Sequence, residues 1–511
     1  MPLGKRFSNW RARLLWSGHG WCNVVTLFII LIVLLFVFIG LPVLSHFDWG
    51  HKHTHTTAPV SDYDLALHEL ALNYTSVGQA LDPKSALVDS DSPQGLTWTS
   101  VESKVWKLVF SDEFNKDGRT FAAGEDANWE AVDLWYWPTR DMEWYDPHHA
   151  TTAGGNLVIT LEKNESHSGL PYTSSMLQSW NKRCFQGGYL EARVSLPGDG
   201  KKSGFWPAIW TLGNLGRAGY GATTDGLWPY TYNSCDDGVL LNQTNSALSM
   251  LPGQRLNACV CSGDHPSPGV GRGAPEIDIF EGSVSNSILS LSMSNQVAPF
   301  DYHYAIQKSK YTHFWNELSS GQDDTPNMSR YNSYIGGSYQ QSVSGLHYMD
   351  PSYAGGKKFM TYGFEYRPGP KGYIRWFVDQ KPVWHLDARA VGANALSKIS
   401  QRVIAEEPMY IIMNLGISSG FSYVDPGLDF PAHMYIDYIR LYQDPDNVRL
   451  SCDPPDRPTG EYIQNHPRAY YNANLTRWKQ TGYSWPSFKL SNSCKPSTSS
   501  PFANDDYAPM T

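Results

Sequence analysis

The chain has 511 residues, enough for one large domain or two medium ones with appendages. Lys and Arg number 40 against 49 Asp and Glu, a net charge of −9, and no basic block offers a footprint for nucleic acid. Aromatic residues reach 14%, with 19 Trp and 30 Tyr; rings at this density suit a β-sandwich core or platforms for sugar rings, and composition does not separate the two uses.

In chain order, the first feature is an apolar run. From Val24 to Leu44 only Thr26 is polar and nothing is charged. At about 1.5 Å per residue a helix of that length spans roughly 30 Å, the hydrocarbon thickness of a bilayer. A cleaved signal peptide is the competing reading, but its apolar part would be shorter, about 7–15 residues, and end at small residues. Here Leu41-Pro42-Val43-Leu44 is bulky. Lys5, Arg6, Arg11 and Arg13 precede the run, which puts the N-terminus on the cytosolic side. The expected organisation is a cytoplasmic tail at 1–21, a transmembrane helix at 22–44, and a lumenal or extracellular remainder: a single-pass type II protein of the endoplasmic reticulum, Golgi or plasma membrane. Glycosylation sequons at Asn73, Asn164, Asn242, Asn327 and Asn474 all fall on that side. So do Cys184, Cys235, Cys259, Cys261, Cys452 and Cys494, an even set that suggests disulfides and allows 15 full connectivities.

Residues 45–104 are polar and turn-prone and read as a lumenal stalk, with a short helix around Tyr63–Leu72. From Val105 the pattern becomes short β-rich runs punctuated by Gly, Pro, Asn and Asp: Trp106–Phe110, Leu157–Leu161, Gly188–Val194, Tyr373–Val378, Met409–Asn414 and Met434–Tyr442. Without alternating helices, such runs predict an all-β sandwich over 105–443. The stretches Gly213–Gly273 and Phe314–Gly355 carry no strong strand signal and are expected to be long loops. The extension at 444–511 is bracketed by Cys452 and Cys494, for which pairing with each other is expected. Its aromatics (Tyr462, Tyr470, Tyr471, Trp478, Tyr483, Trp485) are too many for a solvated linker, so it is expected to dock on the sandwich.

The chemistry concentrates in Pro275-Glu276-Ile277-Asp278-Ile279-Phe280-Glu281-Gly282. On a regular strand Glu276 and Asp278 share a face, and Glu281 falls on the other. One β-bulge near Ile279–Phe280 would return Glu281 to that face. Carboxylates grouped this way repel, so at least one pKa rises. A glycosidase needs that split, one carboxylate ionised as nucleophile and another protonated as acid. A solvated strand with its charges facing water gives the same spacing, and a calcium site is a further alternative.

Glu-x-Asp-x-x-Glu resembles the active-site pattern of the laminarinase-like branch of glycoside hydrolase family 16. Val109-Phe110-Ser111-Asp112-Glu113-Phe114, Phe205-Trp206-Pro207-Ala208-Ile209-Trp210 and Tyr438-Ile439-Arg440-Leu441-Tyr442 match it in order. The resemblance covers roughly Val105 to Gln443 and implies a concanavalin-like β-jelly roll with long loops, binding β-glucans on its concave sheet. A narrower likeness, to the fungal β-1,6-glucan synthesis-associated proteins, is carried by Lys182-Arg183-Cys184-Phe185-Gln186-Gly187-Gly188-Tyr189, Gly213-Asn214-Leu215-Gly216-Arg217-Ala218-Gly219-Tyr220, Leu227-Trp228-Pro229-Tyr230-Thr231-Tyr232 and Glu461-Tyr462-Ile463-Gln464-Asn465-His466-Pro467. Those are type II membrane proteins of the secretory pathway; the cytoplasmic tail is much shorter here. The resemblance implies Glu276 as nucleophile, Glu281 as general acid/base and Asp278 as the residue that orients and tunes them. It implies a β-glucan substrate and association with cell-wall synthesis machinery. Trp206 and Trp210 are candidates for sugar stacking, with core packing as the alternative. Arg183 and Asn414 are further cleft candidates, with an ion pair and a strand-end cap as their alternatives.

No cofactor or metal is expected. His148 and His149, or His51, His53 and His55, lack zinc-site spacing, no Gly-x-Ser-x-Gly elbow occurs, and Gly271-Arg272-Gly273 is not followed by a Lys-Ser/Thr pair. Two functions therefore stand: a retaining β-glucan hydrolase or transglycosylase, and a catalytically silent glucan-binding scaffold that assists a separate synthase.

Overall fold

The computed structural model describes residues 27, 28, 30–32, 87–164, 169–234, 251–259, 264–298, 310–337, 340–395 and 399–486. The chain divides into two compact units, Met1–Ser61 and Asp62–Thr511. In the first, residues 27, 28 and 30–32 are helical. The rest of the expected 22–44 span, the helix at Tyr63–Leu72, Asn73, Asn242, Cys235, Cys261 and Cys494 lie outside the described residues. Among the described residues, no helix is long and apolar enough to cross a membrane.

Among the described residues of the second unit, two large sheets, antiparallel except for one short parallel strand pair, form a sandwich. The sheet that carries the chemistry is built mainly from β1 (Met176–Gln178), β2 (Phe205–Gly213), β3 (Glu276–Ser285), β4 (Ile288–Val297), β5 (Gln341–Met349) and β6 (Met409–Ile417). Their spatial order is β5-β4-β3-β2-β6-β1. Ser329–Tyr331 extends the β5 edge and Glu130–Ala131 the β1 edge. The outer sheet includes Gly188–Ser195, Met360–Arg367, Tyr373–Val378 and Ala432–Gln443.

Alternation explains the packing. Ile209, Ile277, Phe280, Ile411 and Met413 point inward from one sheet and meet Leu190, Phe364, Trp376, Ile436 and Ile439 from the other, all in one buried cluster. Each such side chain stabilises the fold by roughly 1.5–3 kcal/mol relative to leaving it exposed. β6 is buried at all nine positions, since its other face is covered as well, and it therefore reads as an unbroken apolar run.

Three expectations change. The region Phe314–Gly355 is not a plain loop: it supplies Ser329–Tyr331 and the nine-residue β5. Polar side chains on β5 form ladder contacts instead of meeting water, as in Ser344 Oγ to Ser294 Oγ at 2.7 Å, and this hides the usual strand signal. The sandwich also begins before Val105. Thr97–Thr99 pairs with Val105–Asp112, and Trp98 stacks on Tyr189 at 3.6 Å while donating its indole N–H to Glu365. Residues 87–104 thus belong to the sandwich and not to the stalk.

The third change is the disulfide. Cys452 pairs with Cys184, not Cys494. After the last strand the chain folds back, with Arg449 bonding Gln186 and Asp456, so Cys452 arrives over Cys184, 268 residues earlier. The extension does dock: Tyr462, Ile463, Ala469, Tyr470 and Trp478 join a second buried cluster with Leu212, Tyr410 and Ile412. Arg217 donates to the Tyr470 carbonyl, and the Arg255 guanidinium lies 3.5 Å from the Trp478 ring centre. The described sequon residues Asn164, Asn327 and Asn474 are exposed, as acceptors must be.

Candidate active site

The site begins with a register shift. Along β2, Ala208 faces Glu281 and Ile209 faces Phe280, but Trp210 already faces Asp278 and Leu212 faces Glu276. Ile279 is the extra residue of a bulge, where the spacing requires one. Opposed residues of an antiparallel pair share a face, so Glu276, Asp278 and Glu281 all stand on the side away from the inter-sheet core. The bulge is held from behind: the indole N–H of Trp376, on the outer sheet, donates to the Asp278 backbone carbonyl at 2.7 Å. Gly282 fits because a Cβ there would sit 2.8 Å from the Pro207 ring.

Two indoles hold the glutamates. Trp228 donates to Glu276 at 2.6 Å, and Trp206 donates to Glu281 at 3.1 Å. Gln296 approaches Asp278 at 3.4 Å. Glu276 and Glu281 stay partly accessible, whereas Asp278 is 1% exposed. Burial, with the charge of Glu281 added, pushes Glu276 up to about 8, although hydrogen bonds from Trp228 and Asp278 pull it down. Burial pushes Glu281 up to about 7 against the pull of Trp206. Asp278 is raised well above its usual range by burial and by both neighbouring charges. Asp278 and Glu276 thus lie close enough on one face for their titrations to be coupled.

These shifts link pH to stability. A carboxyl whose pKa rises on folding favours the folded state when protonated, so the benefit is full below about 4.5 and is lost as pH climbs through 7 and 8. Glu276→Gln is expected to melt at a higher temperature than the parent at pH 8.5, with the gap closing at pH 4. Thermal scans at the two pH values check this, and equal melting temperatures at pH 8.5 would contradict it.

Of the other sequence candidates, Trp206 borders the site, half-buried, with one ring face covered by Phe421 in a stack at 3.9 Å. Trp210 is only 8% exposed and donates to Asn414 at 2.8 Å, so it packs instead of offering a platform. Asn414 lies in register with Ala208, and hence with Glu281, and donates to Tyr145 at 3.1 Å. Arg183 is not brought to the carboxylates; its guanidinium goes to Asn128 and to the Lys182 carbonyl. Among the described residues, no group of three or more His, Cys, Asp or Glu is placed to hold a metal ion.

Sequence reasoning missed several neighbours. Trp228 lies in Leu227–Tyr232, where no local pattern marks it as a partner of Glu276, 48 residues on. Tyr136 packs edge-on against Tyr145 with ring centres 6.4 Å apart, and burial together with the charges of Glu276, Asp141 and Glu281 raises its hydroxyl well above the usual range. Asp141, Glu143 and Tyr145 form a buried group beside Asn414, with Tyr145 donating to Asp141 at 3.1 Å and burial lifting Asp141 to about 6. Their alternate spacing in Asp141-Met142-Glu143-Trp144-Tyr145 was a usable signal, since it puts all three on one strand face.

Comparison with known proteins gives the context. Residues 5–494 match the family model described as beta-glucan synthesis-associated protein SKN1/KRE6/Sbg1. The chain belongs to this family. It is 41% identical to the beta-glucan synthesis-associated protein SKN1 of Candida albicans over 483 residues, covering 93% of this chain and 62% of that one. It is 41% identical over 497 residues to KRE6 of Saccharomyces cerevisiae, covering 95% of this chain and 65% of the relative. The family member described here thus spans less than two thirds of the length of these relatives. Among solved structures, it is similar to the catalytic domain of an endo-1,3-beta-glucanase (laminarinase) from Thermotoga petrophila RKU-1. The identity is 20% and the TM-score 0.41, over 66% of this chain and 98% of the other.

Proposed function

We propose that this chain is a retaining β-glucan hydrolase or transglycosylase acting in cell-wall β-1,6-glucan synthesis. One observation carries the reading: a bulge sets three carboxyls on one face, with two of them reachable from solvent and each held by an indole. Glu276 attacks the anomeric carbon, the C–O bond to the leaving sugar breaks, and Glu281 delivers its proton to the departing oxygen. Glu281 then takes a proton from water or from a sugar hydroxyl, whose oxygen displaces Glu276 from the anomeric carbon. Water gives hydrolysis; a sugar hydroxyl gives transfer. A biosynthetic family favours transfer. Because Glu281 must be protonated in the first step and is raised to about 7, that step should weaken above neutral pH.

Incubating the protein with defined β-1,3- and β-1,6-linked gluco-oligosaccharides and weighing the products by mass spectrometry tests this reading. Products longer than the substrate mean transfer and shorter ones alone mean hydrolysis; an unchanged substrate removes the reading. One observation favours the scaffold alternative: burial raises Glu276, the residue that must be ionised to attack. A scaffold binds the oligosaccharides and returns them intact.

The apolar run at 22–44 anchors the chain, with the sandwich in the lumen or outside the cell. Endoglycosidase should shift the protein's gel mobility, and protease added to sealed vesicles should remove only a short N-terminal piece. Digestion of the sandwich in intact vesicles would overturn the topology.

A further inference from the structure

The carboxylate face is covered on one side of the glutamates and accessible on the other. Residues in register across neighbouring strands share a face, so the row through Glu281 can be followed in both directions. Towards one edge of the sheet it passes Ala208, Asn414 and Met176, all buried. Towards the other it passes Ser292, Leu346 and Arg330, each of which keeps some access to solvent. The row through Asp278 is covered in the first direction too: Trp210, Ile412, Gln178 and Glu130 are no more than 8% exposed. On the accessible side the strip is narrow, since Gln296 and Ser342, in the row through Glu276, are buried. Its width suits a single polymer chain.

The cover comes from distant parts of the chain. Arg217 reaches Glu130 at 2.8 Å, the Tyr410 hydroxyl on β6 accepts from the Ala218 amide at 2.9 Å and donates to the Gly216 carbonyl at 3.0 Å, and Trp228 donates to Glu276 at 2.6 Å. The segment 216–228 therefore crosses the face from its far edge to Glu276. The docked extension holds it there: the Tyr470 hydroxyl donates to the Leu215 carbonyl at 2.7 Å, and Arg217 donates to the Tyr470 carbonyl at 2.7 Å. Asn414 is met separately by the Tyr145 hydroxyl. Lifting this cover would expose Leu212, Tyr410 and Ile412 to water, so it stays in place when a substrate arrives. Neighbouring strands are about 4.8 Å apart, so the three covered spacings from β2 out to Glu130 take up roughly 14 Å of face. That is more than one sugar ring, and a polymer continuing on both sides of the reacting linkage would need it clear.

We propose that the site takes a β-glucan by its end: the chain lies across β4 and β5, and its terminal units stop against the covered half of the face beside Glu276 and Glu281. The inference rests on the glucan reading above for the identity of the polymer and adds which part of it reacts. The bonds made and broken are those already given for Glu276 and Glu281; only the place of the linkage along the polymer is new. Segment 216–228 and the extension thereby set specificity without touching the reacting atoms, apart from the Trp228 indole on Glu276.

The test incubates the full chain with a long linear β-glucan, β-1,3- or β-1,6-linked, and an excess of a short acceptor, and follows polymer size by size-exclusion chromatography. Reaction at an end leaves the polymer peak in place at low conversion while short products of one size accumulate. Early collapse or broadening of the peak means reaction at internal linkages; it overturns the chain-end inference and leaves the glucan reading in place. A polymer that stays unchanged, with no short products, overturns both. A variant tests the path. Leu346→Trp narrows the accessible strip from a half-buried position on β5, and should raise KM for the polymer several-fold more than KM for an aryl glucoside, whose turnover also reports that the variant is folded. KM for the polymer equal to that of the parent would show that the chain does not lie over β5, and would overturn the inference.

Discussion

Glu276→Gln is expected to give a folded protein that forms no glycosyl-enzyme on any β-glucan. The substitution keeps size and hydrogen bonding, so the Trp228 indole still finds an acceptor, but the amide cannot attack the anomeric carbon. Glu281→Gln should behave differently. Departure of an ordinary sugar needs a proton from this residue, and its loss should slow that step by about 10² to 10⁴ fold. An aryl glycoside with a good leaving group needs little protonation and should still load the enzyme. Azide should then restore turnover of the Glu281 variant, because an anion needs no base to resolve the intermediate. Asp278→Asn should reduce activity less than either, since Asp278 is 1% exposed and acts through Glu276. Steady-state rates with and without azide, and mass spectrometry of trapped protein, check the series. Should folded Glu276→Gln protein restore β-1,6-glucan in cells lacking the native gene, the enzyme reading would fall and the scaffold reading would replace it.

The second large effect concerns stability. Arg272 is fully buried and grips both oxygens of Glu407 at 2.7 Å. The same guanidinium donates to Ser267 and to the Pro458 carbonyl, while Glu407 also accepts from the backbone of Gly273. One ion pair therefore ties the approach to β3, the lead-in to β6 and the docked extension. Glu407→Ala leaves a buried guanidinium without its counter-charge, a loss of about 3–5 kcal/mol. Replacing both partners by apolar side chains, Arg272→Met with Glu407→Leu, should recover part of it, because no charge is then stranded. Urea unfolding of the three variants measures the difference; a cost below about 1 kcal/mol for Glu407→Ala would show that water reaches the site.

Several features were legible from residues alone. The spacing of Glu276, Asp278 and Glu281 demands one extra residue to bring all three to one face, and side-chain alternation is local enough to place that residue at Ile279 or Phe280. Strands such as Met409–Asn414 and Tyr373–Val378 announce themselves because burial on a sheet selects apolar, β-prone side chains at fixed intervals. An extension rich in Tyr and Trp cannot remain in water, so its docking also followed.

Tertiary structure decided the rest, and in each case the cause is a contact between distant segments. Cys452 meets Cys184 because the chain turns back after its last strand, and nothing near either cysteine encodes that turn. β5 escapes notice because polar residues in it face polar residues of β4, Ser344 bonding Ser294 and Ser342 lying opposite Gln296, a match invisible until the strands pair. Trp210 and Trp206 sit four apart in similar surroundings, yet one is buried against Asn414 and the other reaches Glu281; neighbours on β6 and β3 make that choice. Trp228 acquires a role only when its long connection lays it over Glu276. The chemistry available on β3 is written locally, because alternation along one strand needs no distant partner. Which side chains shield, protonate and align those carboxyls was set by the fold, because hydrogen bonding and burial depend on residues that the chain brings together from far apart.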